Sequence, residues 1–117
     1  MTFQDNIPIY MQIADDIKGQ IIAGKLQELD KLPSIRECST QYAVTALTMQ
    51  RAMGLLESEG IIQTRKGVGS FVQEGIQEKL KSSMLTEHVQ TFITQLTRMG
   101  LSNKEILALV KEALSDG

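Results

Sequence analysis

The chain has one cysteine, one histidine, two prolines, no tryptophan and five other aromatic residues among its 117. A single cysteine excludes an intramolecular disulfide framework and fits a reducing compartment. Around His88 there is no His/Cys/Asp cluster at ligand spacing, so no metal ion is expected. No apolar run approaches the roughly 20 residues that a membrane span needs. No basic-then-apolar signal segment opens the chain, and a cytoplasmic location is expected. Paired carboxylates, a nucleophile–base pair and a phosphate-cradling glycine loop are also missing. The length leaves little volume for a sheltered cleft, so an enzyme is the weakest reading and no cofactor is expected.

What is present is a chain rich enough in apolar residues, at 42%, to fold rather than stay disordered. Its length suits one domain with an appendage. The net charge of −2 argues against an indiscriminate polyanion binder, but the distribution is uneven. From Lys31 to Val72 there are five basic residues (Lys31, Arg36, Arg51, Arg65, Lys66) against three acidic ones (Glu37, Glu57, Glu59), a local balance of +2. A basic face on an acidic protein is therefore open.

Periodicity gives the order of elements. Pro8 stands where a first helical turn tolerates a missing N–H, and an apolar stripe follows at Ile9, Ile13, Ile17 and Ile21. Gly24 ends that helix. A polar connection, Lys25 to Lys31, leads to Leu32-Pro33. Ser34-Ile35-Arg36-Glu37 is a capping box opening a short helix that carries Ile35, Cys38 and Tyr42 inward. Buried in that way, Cys38 reads as a small core residue. Ala43-Val44 turns the chain, Thr45 is the next N-cap, and Met49, Ala52, Met53 and Leu56 mark one helical face. After Gly60, two strand-like runs, Ile61–Lys66 and Ser70–Val72, are joined by a Lys66-Gly67-Val68-Gly69 turn suited to a hairpin.

Two short helices joined by a tight turn, backed by a third and followed by a two-stranded wing, make a winged helix-turn-helix. The second helix of the pair fits a major groove roughly 12 Å wide. Its N-terminal residues, here Ala46, Leu47, Thr48, Gln50 and Arg51, face base edges, and Thr45 at its cap is expected among the DNA contacts. Gln50 could read adenine through paired hydrogen bonds, and Arg51 could read guanine or hold phosphate. Thr48 offers a hydroxyl to phosphate or a methyl to thymine, and the methyl groups of Ala46 and Leu47 could touch thymine as well. Arg65 and Lys66 sit in the wing beside Gly67 and Gly69, whose bare backbone can approach a phosphate or the minor groove. Ser34 reads first as a helix cap and second as a phosphate ligand. Arg36 reads, on spacing alone, either as a solvated helix arginine or as a contact.

Beyond Val72 the pattern is purely helical. From about Gln77 to Met99, the residues Leu85, Val89, Phe92, Leu96 and Met99 recur at spacings of four and three. Gly100 breaks the run, Ser102-Asn103-Lys104-Glu105 is a second capping box, and a last helix shows Ile106, Leu107, Val110, Ala113 and Leu114. Two amphipathic helices share only one seam, so their remaining apolar surface needs a partner. A second copy of the chain is the simplest one. The expected interface is Leu85, Val89, Phe92, Leu96, Met99, Ile106, Leu107, Val110 and Leu114.

Four segments carry a family resemblance: Pro8-Ile9-Tyr10-Met11-Gln12-Ile13-Ala14, Leu32-Pro33-Ser34-Ile35-Arg36-Glu37, Leu55-Leu56-Glu57-Ser58-Glu59-Gly60-Ile61-Ile62 and Gly67-Val68-Gly69-Ser70-Phe71-Val72. In order and spacing they resemble the GntR family of bacterial transcription regulators, over Ile7 to Val72. The short helical tail and Thr48-Met49-Gln50-Arg51-Ala52 are similar to its YtrA subfamily. The resemblance implies that the tail dimerises the protein and that the function is repression, commonly of operons for ABC transporters. It also implies DNA contacts by Arg36 from the first helix of the pair and by Thr48, Gln50 and Arg51 from the second, with Gly67 at the wing tip. Two departures stand out. Glu28-Leu29 replace the usual Pro-Gly, so the connection is expected to follow another path, and Ala46-Leu47 stand where an Arg or Asn often begins the reading helix.

The expectation is a mainly α fold with a small β-hairpin wing: a winged helix-turn-helix DNA-binding domain over residues 1–75 and a helical dimerisation tail over 76–117. Its partners would be an operator in double-stranded DNA and a second copy of the chain. The rival reading is a winged-helix protein-interaction scaffold without specific DNA binding, motivated by Ala46-Leu47 and the net acidity. No motif identifies a small-molecule effector, and the tail's dimer seam or the space between tail and wing could take one.

Overall fold

Helix ends in this chain are set by local chemistry. The computed structural model describes residues 1–116, with helices α1 (Ile9–Ile22), α2 (Ile35–Tyr42), α3 (Ala46–Ser58), α4 (Ile76–Arg98) and α5 (Asn103–Asp116), and strands β1 (Ile62–Arg65) and β2 (Gly69–Val72). Pro8 takes the position just before α1, with φ −53° and ψ 137°. Ser34 and Glu37 close the capping box of α2: the Glu37 N–H donates to Ser34 Oγ at 3.1 Å, and the Ser34 N–H donates to Glu37 Oε1 at 3.2 Å. Ala43 ends α2 in the left-handed region, at φ 56° and ψ 47°. That sharp reversal lets α3 begin three residues later. Thr45 caps α3 by accepting from the Thr48 N–H at 3.2 Å.

The helix faces sort by burial. On α1, Ile13, Ala14, Ile17 and Ile21 are buried, whereas Ile9, expected to start the same stripe, lies exposed at the helix mouth. On α3 the expected face of Met49, Ala52, Met53 and Leu56 is buried throughout. This helix packs against α1, α2 and β1, so it is the centre of the unit. Each fully buried Ile or Leu contributes about 1.5–3 kcal/mol before conformational entropy is counted. Of the residues expected inside α2, Cys38 is buried and Ile35 and Tyr42 are half-buried. Burial, with the nearby Glu37 charge, pushes the Cys38 thiol pKa up. The Tyr42 hydroxyl reaches α1 and donates to Asp16 Oδ2 at 2.7 Å, tying the two helices together.

The strands pair antiparallel with Ile62 opposite Val72 and Arg65 opposite Gly69. Against the expected runs, Ile61 and Lys66 fall outside β1 and Gly69 joins β2. The larger difference is on the other edge of β2, where the connection from α1 supplies a third extended stretch. The Leu29 N–H donates to the Val72 carbonyl at 2.9 Å, the Val72 N–H to the Asp30 carbonyl at 2.9 Å and the Leu32 N–H to the Ser70 carbonyl at 2.8 Å. Lys31 bridges Phe71 between them. Leu29 adopts φ 70°. The connection expected to deviate thus makes a left-handed turn with a leucine at the very position where glycine is usual, at about 1–2 kcal/mol of strain.

The chain divides into two compact units, Met1–Lys81 and the part from Ser82 onward. The boundary falls inside α4, because Ile76 and Leu80 at its start bury in the first unit's core. In the second unit, α5 opens on its capping box: the Glu105 N–H donates to Ser102 Oγ at 3.2 Å and the Ser102 N–H to Glu105 Oε1 at 3.0 Å. The Ser102 N–H first, and the Ser102 side chain after it, hold the Glu105 carboxyl below its ordinary pKa. Ile106 is buried, whereas Leu85, Val89, Phe92, Met99, Leu107 and Leu114 are exposed.

Candidate nucleic-acid interface

The outward face of α3 follows from its inward one. With Met49, Ala52, Met53 and Leu56 buried, a 3.6-residue period turns Leu47, Gln50, Arg51 and Gly54 to solvent, and all four are exposed. Thr48 sits at the edge of that face, half-buried. Thr45 Oγ1 donates to Thr48 Oγ1 at 3.0 Å, which leaves the Thr48 hydroxyl hydrogen available to an acceptor outside the protein. The interface residues assigned to α2, Ser34 and Arg36, are both exposed. Ser34 is engaged in the capping box, and Arg36 extends from the second helical position.

Two of the arginines are held by aromatic rings. The Arg51 guanidinium carbon lies 4.8 Å from the centroid of the Tyr10 ring, and that of Arg65 lies 4.9 Å from the Phe71 ring. Stacking of this kind is worth about 0.5–1 kcal/mol at exposed sites and narrows the orientations a long side chain samples. The charge is left free. Among the described residues, Lys18 is the only basic side chain in an ion pair, with Glu59 at 2.9 Å and Asp15 at 3.8 Å. Arg36, Arg51, Arg65, Lys66 and Lys31 therefore keep their positive charge unneutralised on the first unit, as a phosphate backbone would require.

The wing tip depends on its glycines. Gly67 adopts φ 77° and Gly69 φ 143°, both in the region L side chains rarely enter. A Cβ on Gly69 would also stand 2.7 Å from Lys31 Cε. The Lys31 side chain is thus laid against the wing beside Gly69, and Lys31, Ser34, Glu37, Val68 and Gly69 line a cleft of about 540 Å³ between wing and α2. A second, of about 410 Å³, lies between Pro8, Ile9, Tyr10, Thr48 and Arg51. Of the expected interface residues, Thr48 and Arg51 share one cleft and Ser34 and Gly69 the other, while Arg36, Thr45, Gln50, Arg65, Lys66 and Gly67 line neither.

Sequence reasoning missed Tyr10, Lys31 and Phe71 as supports. The stacked rings lie far along the chain from Arg51 or across a hairpin from Arg65, and periodicity does not report such pairs. Lys31 had one usable signal, its position just before Leu32-Pro33 in an extended segment. The tail residues of the expected interface lie in the second unit. There Val89, Phe92, Ile93, Ile106, Leu107 and Val110, with Asn103, line an apolar groove of about 450 Å³. Leu96 and Val110 are half-buried, and Ile106 is the one of them that is buried. Among the described residues no group of three His, Cys, Asp or Glu could hold a metal ion, and no helix is long and apolar enough to cross a membrane.

Comparison with known proteins gives a consistent result. The sequence profile described as "Bacterial regulatory proteins, gntR family" matches residues 9–72. The chain is 38% identical to an uncharacterised HTH-type transcriptional regulator of Bacillus subtilis, YhcF, over 98% of this chain and 97% of that one. It is 31% identical to the HTH-type transcriptional repressor YtrA of the same organism, over 97% of this chain and 89% of that one. Among solved structures, a GntR family transcriptional regulator from Listeria monocytogenes superposes with a TM-score of 0.84 at 35% identity, covering 94% of this chain and 98% of the other.

Proposed function

The chain belongs to the gntR family of bacterial regulatory proteins, transcriptional regulators with a winged-helix DNA-binding domain, and on that premise we propose that it is a YtrA-like homodimeric repressor. Residues 1–75 read DNA and residues 76–117 pair two copies. Each protomer sets α3 into a major groove, with the two grooves about 34 Å apart on one face of the duplex, so the operator is an inverted repeat. Gln50 and Arg51 meet base edges. Ser34, Arg36, Thr45 and Thr48 hold the phosphates beside them, while Arg65, Lys66, Gly67 and Gly69 bring the wing to the backbone or the minor groove.

The observation that carries this reading is the pairing of two surfaces: unneutralised arginines on ring supports in the first unit, and uncovered apolar residues in the second. The first attracts a polyanion. The second is relieved when Leu85, Val89, Phe92, Met99, Leu107 and Leu114 pack on a second copy. Repression follows from occupying promoter DNA against polymerase. The near full-length likeness to a repressor supports that sign, and an ABC transporter operon is the target class that the YtrA resemblance suggests.

The test is selection of the purified protein against random duplexes, followed by titration of the enriched pool at several salt concentrations. The reading expects an inverted repeat with half-sites about one helical turn apart, and an affinity that falls with salt by roughly 0.9 logarithmic units per phosphate contact. No enrichment at low salt would overturn it.

A further inference from the structure

Resting on the assignment of α3 as the reading helix, we infer that Leu47 is a specificity-determining residue that reads the C5-methyl group of a thymine in the major groove. Three observations carry this. Leu47 is 67% exposed, the most exposed large apolar side chain of the first unit. It lies in the first turn of α3, on the face that also presents Gln50 and Arg51 at the i+3 and i+4 positions. And on α3 it stands alone: Leu55 is half-buried and the other apolar residues beyond Leu47 are buried or small. A protein partner calls for a contiguous apolar patch, which this polar face does not offer. One isolated isobutyl group among hydrogen-bonding side chains matches a single apolar feature on a polar surface.

The major groove has one such feature. Thymine carries a methyl group at C5, whereas cytosine, adenine and guanine present only polar edges and C–H there. The first turn of a reading helix is where base edges are met. Thr45 caps this turn and so fixes the backbone under Leu47, while the neighbouring Arg51 is braced on Tyr10. Leu47 contributes apolar contact where Gln50 and Arg51 contribute hydrogen bonds, and the half-site is expected to pair a thymine with the adenine or guanine those residues read.

The experiment uses the full chain and the duplex enriched by selection, with each thymine replaced in turn by deoxyuridine, which keeps every hydrogen-bonding edge and removes only the methyl. The expected result is one position per half-site at which the replacement weakens binding about fourfold, the effect of one methyl group withdrawn from contact. In Leu47→Ala the same replacement changes nothing. Leu47→Ala is expected to fold unchanged, since the side chain is exposed and alanine favours the helix; Leu47→Met, which retains reach and apolarity, restores most of the methyl dependence. Deoxyuridine effects that are absent, or equal in wild type and Leu47→Ala, overturn the inference while leaving DNA reading by α3 intact. Failure to enrich any duplex overturns both.

Discussion

The winged-helix unit and the tail are both built from amphipathic helices, yet they end in opposite conditions. Among the described residues, fifteen apolar side chains are buried between Ile13 and Leu80, and from Ser82 onward only Ile106 is. The first unit closes on itself because α3 is surrounded: α1, α2 and β1 each cover part of it, and the face that α3 leaves over is polar, charged or small except at Leu47. The tail has two helices with an open apolar groove between them, so Leu85, Val89, Phe92, Met99, Leu107 and Leu114 stay in solvent. A region that buries its apolar residues needs only its own chain. One that leaves them exposed is half of something, and in the proposed dimer the other half is a second copy.

Four predictions, carried by six substitutions, break or sharpen that contrast. The largest expected effect is in the closed core. Leu56→Ala empties a fully buried site and is expected to destabilise the protein by about 2–5 kcal/mol in denaturant unfolding. Leu114→Ala, at 74% exposure, should change the unfolding of a protomer by no more than about 0.5 kcal/mol and act only through self-association. Next is Phe92→Asp, which places a charge on the open face of the tail. It is expected to yield monomers in sedimentation at micromolar concentration and to weaken operator binding by roughly 100-fold, through loss of the second tethered half-site.

Third, Arg51→Ala is expected to weaken operator binding by about 1–3 kcal/mol at fixed salt, with the midpoint of unfolding unchanged, and Arg36→Ala to act similarly. Unaltered titrations for both would remove these residues from the interface. The smallest effect concerns the connection. Leu29→Gly relieves a left-handed leucine whose side chain is largely exposed, and is expected to stabilise the first unit by about 0.5–1 kcal/mol after the added freedom of the unfolded chain is subtracted. A loss of stability instead would mean that the side chain, not the backbone, dominates at that position.

Much of the fold was legible because its signals are local. The boxes Ser34–Glu37 and Ser102–Glu105 and the cap at Thr45 are read from three or four adjacent residues, and each forms as its spacing implies. The buried stripes of α1 and α3 follow from helical period alone, except at Ile9, where the helix mouth lies outside the core. What escaped is tertiary. Lys25 to Lys31 read as a polar connection, but β2 has a free edge and residues 29–32 pair with it. Leu29 keeps a left-handed turn because its N–H is anchored to Val72 from across the sheet, an interaction with no trace in the neighbouring residues. In the candidate interface, the exposed face of α3 could be inferred from its buried face, but the rings that brace Arg51 and Arg65 could not, since each stack joins separate elements or strands.

The central claim is that one unit reads DNA and the other doubles the reader. It is tested most directly by titrating the full chain and its Phe92→Asp variant against two duplexes from the selection, one with the complete inverted repeat and one with a single half-site. The account predicts that the full chain binds the repeat at least roughly 100-fold more tightly than the half-site, while Phe92→Asp binds both with the same weak affinity. Equal binding of both duplexes by the full chain, or an undiminished preference for the repeat in monomeric Phe92→Asp, would contradict it.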